Sequence, residues 1–212
     1  MKEFNEFLLQ KLELIFWEGK EMYLIKKLNL EQVEKIYKEE LVRHFPADEV
    51  KPLKSIERMW KMGAYQAFGL YEMVSDELMG YAFFSKKPGN DMILMDYLAV
   101  LEEYRNKGLG AVFLQEMKGI MKAYKGILIE TEDVDFAQNA EEAEVCQKRD
   151  AFYAKNGVIK MNVKSTIYGV HYANWIYPIG MEWDVDECRE ELQAIYKVMI
   201  PGEKYEKFVR IE

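Results

Sequence analysis

LAVLEEYRNKGLGAVFLQEM, residues 98–117, joins an apolar run to an amphipathic one through a turn that holds two glycines. Upstream, MILMDYLAV at 92–100 is apolar enough to predict a strand buried on both faces. Downstream, apolar residues recur at helical spacing and predict a helix over 108–124. Gly108 and Gly110 would let the backbone approach a ligand, and the first amides of a helix bind anions. The stretch therefore predicts a phosphate-binding turn.

Two familiar nucleotide-binding motifs do not fit this turn. A P-loop needs Gly-Lys followed by Ser or Thr, which the stretch does not contain. A dinucleotide-binding fingerprint needs a third glycine and follows the first strand, whereas this turn follows the fourth predicted strand. The alternative that Gly108 and Gly110 only shape a tight strand-to-helix turn stays open at this point.

The rest of the chain predicts alternating strands and helices. Strands are expected at 22–27, 64–72, 79–85, 92–100, 126–132, 158–165 and 168–177. Helices are expected at 30–43, 52–61, 108–124, 141–155 and 185–199. Because there is no internal repeat, low-complexity segment or evident linker, one α/β domain with a mixed sheet describes this order best.

Composition excludes several classes of protein. The 212 residues are 50% hydrophobic, which is enough for an ordinary core, and the net charge is −8. Such an acidic chain is expected to bind neither nucleic acid nor an anionic membrane, and no apolar run has the length of a membrane span. Two cysteines, Cys146 and Cys188, and two histidines, His44 and His171, lack metal-ligand spacing, so no metal site is expected. A reducing cytoplasm is the expected location.

Two segments carry a resemblance to a known family. YLAVLEEYRNKGLGAVFLQEM resembles the acetyl-CoA-binding signature of the GNAT superfamily of N-acyltransferases, a strand ending in L-x-V followed by R/Q-x-x-G-x-G/A at a helix start. RDAFYAKNGV at 149–158 resembles its second marker, a helix with F/L-Y followed by a glycine and a strand. The resemblance covers 22–177. It implies a predominantly antiparallel mixed sheet of about seven strands, with a splayed central pair and helices on both faces.

The resemblance also divides the chain. A GNAT-like acetyltransferase domain is expected at 22–180, and residues 181–212 are expected to form a C-terminal helix and tail packed on the same domain. Residues 1–21 are expected to be an amphipathic helical extension. Four of their apolar residues fall at helical spacing: Phe4, Leu8, Leu12 and Ile15.

The activity implied is transfer of an acetyl group from acetyl-CoA to a primary amine of a small molecule or peptide. The amine would attack directly in a ternary complex, and no metal is implied. The alternative is a catalytically weak coenzyme A-binding module for interaction or sensing. The identity of the acceptor and the assembly, for which a homodimer is one option, stay open.

The resemblance assigns roles to individual residues. Backbone amides of the turn would hold the pyrophosphate of coenzyme A: Arg105, Asn106, Lys107, Gly108, Leu109, Gly110 and Ala111. Pantetheine would pair with the strand at Leu98, Ala99 and Val100, where the Leu98 amide would polarise the thioester carbonyl. Tyr153 would protonate the departing thiolate. Cys146 stands where many members carry asparagine and is expected to be a small buried side chain.

The base that takes a proton from the amine is sought among carboxylates. Asp96 precedes Leu98 by two residues and is therefore expected on the same face of the strand. Glu130 and Glu132 alternate onto one face of the next strand and are its rivals. Asp96 and Glu130 are the two preferred catalytic carboxylates. The structural alternative for each carboxylate is an ion pair with Arg149 or a solvated strand end. Arg149 is expected to pair with Glu130, and the alternative is that it holds an acidic group of a substrate.

Overall fold

The strands of the molecule build one sheet. A computed structural model describes residues 13–17, 21–180 and 182–212. The strands are β1 (Glu13–Trp17), β2 (Glu21–Lys27), β3 (Tyr65–Glu72), β4 (Leu78–Ser85), β5 (Met92–Val100), β6 (Gly126–Glu132), β7 (Ile159–Ile167), β8 (Val170–Pro178) and β9 (Val209–Ile211). Within the described residues they form a nine-stranded sheet in the order β1-β2-β3-β4-β5-β6-β8-β7-β9. The pairing of β5 with β6 is parallel, and the other pairings are antiparallel.

Helices cover both faces of this sheet. They are α1 (Leu30–Ile36, continued by a π-helical turn Tyr37–Leu41 and by Val42–His44), α2 (Leu53–Lys61), α3 (Leu109–Ile120), α4 (Ala140–Lys155), α5 (Val185–Met199) and α6 (Glu203–Phe208). Because strand side chains alternate between faces, two cores result. On the first face, α1, α2 and α5 pack on the sheet, and on the second face, α3 and α4 do.

Local sequence explains where several helices begin. Asn29 and Gln32 form a reciprocal capping box before α1, in which each side chain accepts from the other residue's backbone amide. Asn139 caps α4 and Asp184 caps α5 by accepting from the amide three residues later. These side chains satisfy helix amides that have no partner within the helix, and they fix the direction in which each helix leaves the sheet.

The expected fold class is confirmed, with two additional edge strands. β1 corrects part of the helix expected over residues 1–21, because Glu13–Trp17 pair antiparallel with β2; residues 1–12 and 18–20 lie outside the described residues. At the other edge, β9 pairs with β7 and ends the charged tail. A run of three to five residues is too short for its periodicity to separate strand from helix, so pairing with a neighbour decided its structure.

The central parallel pair is splayed, as expected. β5 and β6 pair from Met92 with Gly126 to Met95 with Ile129, and no further. Both strands continue beyond that point, β5 to Val100 and β6 to Glu132. Their carboxyl ends therefore separate and leave a gap in the middle of the sheet, in front of the turn that leads into α3.

A β-bulge lies where this gap begins. In the β4–β5 pairing Phe83 is opposite Tyr97 and Phe84 is opposite Met95, so Asp96 is the extra residue. Asp96 hydrogen-bonds to a first-face side chain, Tyr65, whereas Leu98 packs with the second core. The expectation that Asp96 and Leu98 share a face is therefore wrong, because simple alternation holds only along a regular strand.

Candidate active site

The glycine turn between β5 and α3 presents free amides. Asn106 and Gly108 both have left-handed backbone conformations, with φ of 62° and 78°. The Arg105 amide donates to the Glu102 carbonyl at 3.2 Å, and the Ala111 amide donates to the Gly108 carbonyl at 3.1 Å. Within the described chain, no hydrogen-bond partner is found for the five amides between them, residues 106–110. The free set is thus narrower than the predicted 105–111, and it suits an anion.

The two glycines of this turn differ in how strictly the structure requires them. At Gly108 the positive φ would strain any residue with a side chain, although space is open around it. At Gly110 a Cβ would lie 3.5 Å from the Phe152 ring, an ordinary contact distance, so packing alone does not require glycine there. The Arg105 Nε donates to the Val100 carbonyl at 3.1 Å and ties the turn to the end of β5.

The backbone of β5 is open on the side of the gap. The Leu101 amide donates to the Met79 carbonyl at 2.9 Å, so Leu101 faces β4, and Ala99, opposite Tyr81, does too. Backbone groups alternate in direction along a strand, so those of Leu98 and Val100 face the gap. Two of the three residues predicted to pair with pantetheine, Leu98 and Val100, are therefore on the gap side, where the Val100 carbonyl already accepts from the Arg105 Nε. Ala99 is paired with β4.

Tyr153 lies on α4 in the second core, beside the start of α3. Its side chain is buried, and its ring meets Phe152 edge-on at 5.2 Å. Burial raises the pKa of Tyr153 to about 12, and the nearby Arg149 guanidinium opposes that rise. At neutral pH the hydroxyl therefore keeps its proton and can donate it.

Asp96 is engaged on the first face. Its Oδ2 accepts from the Tyr65 hydroxyl at 2.7 Å, and its Oδ1 forms an ion pair with the Lys51 ammonium. Burial alone would lower the pKa of Lys51, but the Asp96 carboxylate outweighs it and raises that pKa above its ordinary value. Only 2% of the Asp96 side chain is exposed, so this pair is an internal anchor.

Glu130 is engaged as well. It accepts from the Ser165 hydroxyl at 2.8 Å and from the Tyr196 hydroxyl on α5. Burial raises the pKa of Glu130, although these two hydrogen bonds act in the opposite direction. Arg149 pairs with Glu132 at 3.3 Å, so the expected Arg149–Glu130 pair is wrong. The reason is position: Glu132 is the last residue of β6, and it lies within reach of α4.

Sequence reasoning missed a carboxyl group on the loop between α1 and α2, residues 46–52. The Tyr97 hydroxyl donates to the Glu49 carbonyl at 2.9 Å and accepts from the Lys51 amide at 2.8 Å, which fixes this loop over the bulge. Burial raises the pKa of Glu49 to about 7, with Glu132 adding to the rise and Arg149 opposing it. No motif in the sequence distinguished Glu49.

Two clefts meet at the 46–52 loop. The larger, about 820 Å³, lies between this loop, the end of β6, α4 and the β7–β8 turn. The smaller, about 750 Å³, lies between the loop, α2, Tyr172 and the C-terminal α5 and α6. Carboxylates dominate the larger cleft: Asp48, Glu132, Asp133, Glu141 and Glu142. Its cationic residue is Arg149, and Phe136 stacks on His171 at 3.7 Å within it.

Comparison with known proteins places the chain in a family. The model of the acetyltransferase (GNAT) family matches residues 30–148, more than half of the chain, and the protein belongs to that family. No curated protein matches the sequence significantly.

Solved structures share the fold at low identity. A GNAT-family protein from Bacteroides thetaiotaomicron has a TM-score of 0.63 at 16% identity, covering 79% of this chain and 92% of that one. The ribosomal-protein-S18-alanine N-acetyltransferase from Escherichia coli has 0.53 at 18%, covering 77% and 98%. A variant of the spermidine N-acetyltransferase SpeG from Vibrio cholerae has 0.54 at 9%, covering 74% and 94%. Their acceptors differ, so the shared fold does not identify the acceptor of this chain.

Two further observations concern only the described residues. None of their helices is both long and apolar enough to cross a membrane. They contain no group of three or more His, Cys, Asp or Glu side chains arranged to hold a metal ion. Cys146 and Cys188 are free thiols, and both are buried.

Proposed function

We propose that the protein transfers an acetyl group from acetyl-CoA to a primary amine by direct attack in a ternary complex. The observation that carries the proposal is the continuity of two backbone surfaces, the gap-facing β5 edge at Leu98 and the Val100 amide, and the free amides of 106–110. If the pantetheine of acetyl-CoA pairs with that edge, the pyrophosphate of the same molecule would reach the free amides of the turn. In the reaction a C–N bond forms and the C–S bond breaks. The amine loses a proton and the leaving thiolate gains one.

Two groups would act on the thioester. The Leu98 amide, which faces the gap, would donate to the carbonyl oxygen as negative charge develops there. Tyr153 would protonate the thiolate, and its burial and raised pKa support that role because the hydroxyl is protonated at neutral pH. Asp96 and Glu130 stay proposals for the base, although both already accept hydrogen bonds from neighbouring side chains.

The acceptor that suits the site best is a cationic amine. The larger cleft is lined by five carboxylates and the Arg149 guanidinium, and of these carboxylates Asp133 is neutralised by Lys164, so a net negative charge remains. Such a cleft attracts positive charge and repels anionic substrates. A cytoplasmic location is proposed with this activity, in line with two free cysteines.

Calorimetric titration with acetyl-CoA tests the donor. Gly108→Glu puts a side chain and a negative charge at the turn, and Gly89→Glu is a matched control, since Gly89 also has a positive φ with open space but lies in the β4–β5 turn. We expect wild type and Gly89→Glu to bind and Gly108→Glu to lose binding. Equal binding by both variants would contradict the assignment of the turn at 106–110 as the site for the coenzyme A phosphates.

Thiol release then tests the transfer. Acetyl-CoA is supplied with spermidine, lysine and a short peptide with a free amino terminus, and with water alone. Release that depends on an amine supports the enzyme. Binding of acetyl-CoA without release in any mixture would favour the coenzyme A-binding module instead.

A further inference from the structure

The 46–52 loop reaches across the gap between the separated strands. On one side its main chain is held by β5, through the Tyr97 hydroxyl that contacts both Glu49 and Lys51. The Lys51 side chain adds the ion pair with Asp96 in the bulge. On the other side, the Glu49 carboxyl lies within hydrogen-bonding reach of Glu132 at the end of β6. Glu49 therefore lies between the ends of β5 and β6, where it lines the smaller cleft.

The surroundings of this carboxyl prepare it to take up a proton. Its Oε1 is buried and has no hydrogen-bond partner among the residues that the structure describes. A buried oxygen without a partner is costly, and an incoming N–H group would relieve that cost. Charged and titratable groups face it from its own loop (Asp48), from β6 (Glu132), from α4 (Arg149) and from β8 (Tyr172).

The proton affinity of Glu49 suits catalysis near neutral pH. Burial is the main cause of the raised pKa of about 7, and the carboxylates of Glu132 and Asp48 contribute. A base with a pKa near the working pH combines availability with proton-accepting strength.

The other carboxylates at the gap are less available. One carboxylate oxygen of Asp96 accepts from the Lys51 ammonium, and the other accepts from the Tyr65 hydroxyl. The two carboxylate oxygens of Glu130 accept from the hydroxyls of Ser165 and Tyr196. Each would have to break an existing contact before it could accept a proton from a substrate.

We propose that Glu49, supported by Glu132 and Arg149, is the catalytic base that accepts the proton of the attacking amine. The assignment rests on the proposed acetyl transfer. The amine nitrogen gives its proton to a Glu49 carboxylate oxygen as it forms the bond to the acetyl carbon. The C–S electrons leave with the thiolate, which takes a proton from Tyr153. The next turnover begins once Glu49 has released its proton to solvent and Tyr153 has taken one up from solvent.

The test is the pH dependence of kcat/KM, measured by thiol release from acetyl-CoA with the most active amine of the panel. We expect the wild-type rate to rise with pH through about 7, because the base must be deprotonated. Glu49→Gln should abolish the rise in kcat/KM near pH 7 and lower kcat/KM at that pH by about 10²-fold. Its rate should recover at high pH, where solvent deprotonates the amine. Acetyl-CoA affinity, measured by calorimetry, should not change.

Two further variants complete the design. Glu132→Gln removes a negative charge beside the Glu49 carboxylate, so the rise of kcat/KM with pH should occur at lower pH. Glu39→Gln is the matched control on the exposed side of α1 and should behave as wild type. An unchanged pH profile in Glu49→Gln, with active wild type, would overturn the base assignment alone. Failure of wild type to release thiol with any amine or with water would overturn the proposed transfer and, with it, the role of Glu49.

Discussion

The two ends of the candidate site are built in different ways. The turn for the coenzyme A phosphates is contiguous: a strand, the turn at residues 105–110 and the helix α3 follow one another in the sequence. The acceptor end gathers Glu49 from a loop, Asp96 from a bulge, Glu132 from β6 and Arg149 from α4. The difference teaches that a local backbone motif can be recognised from sequence, whereas the proton affinity of a carboxylate is set by tertiary contacts.

Asp96→Asn is expected to have the largest effect of the variants that probe this comparison. It leaves the Lys51 ammonium without its counter-charge in a site where the Asp96 side chain is 2% exposed. Breaking such a pair should lower the free energy of unfolding by about 3 kcal/mol. Urea denaturation measures it.

A matched aspartate provides the control for that experiment. Asp91 lies 3.7 Å from Lys125, and 64% of its side chain is exposed. Asp91→Asn should therefore change the unfolding free energy by no more than about 0.5 kcal/mol. Because Asp96 anchors only the acceptor end, folded Asp96→Asn should still bind acetyl-CoA. Loss of that binding would show that the two ends are not independent.

Tyr153→Phe should have the next largest effect. It removes the hydroxyl that would protonate the thiolate but leaves the ring in the second core, so kcat should fall by about 10- to 100-fold. Calorimetric affinity for acetyl-CoA should stay as in wild type. Tyr71→Phe is the comparison variant, because Tyr71 is a half-buried tyrosine of β3, away from the gap. Equal turnover in both variants would remove Tyr153 from the mechanism.

Arg105→Ala should have the smallest effect. The side chain is exposed, and its contribution to phosphate binding is screened by solvent, so acetyl-CoA affinity should fall by only about two- to fivefold. Added salt should reduce the difference further. Arg43→Ala, at an exposed position of α1, serves as the control in the same titration. A loss as large as that expected for Gly108→Glu would mean that the Arg105 side chain, through the phosphates or through its hydrogen bond to Val100, matters as much as the backbone amides.

Sequence predicted most of the fold for a physical reason. Strands such as β5 and β6 are long apolar runs, and helices such as α5 carry an apolar stripe and a capping residue, so their local signals agree with the final structure. Prediction failed at β1 and β9, which are short and lie at the edges of the sheet. It also failed at Asp96, because a bulge depends on the partner strand β4 rather than on β5 alone.

The candidate site also has features that the sequence predicted and features that it did not. The sequence by itself determined the glycine turn, the strand that leads to it and the helix that carries Tyr153, because backbone conformation and helix position follow from neighbouring residues. Only the tertiary structure decided that Ala99 faces β4, that Asp96 is neutralised by Lys51 and that Glu49 lies close to Glu132 and Arg149. Proton affinity depends on burial and on charges brought from distant segments, and no local pattern encodes those distances.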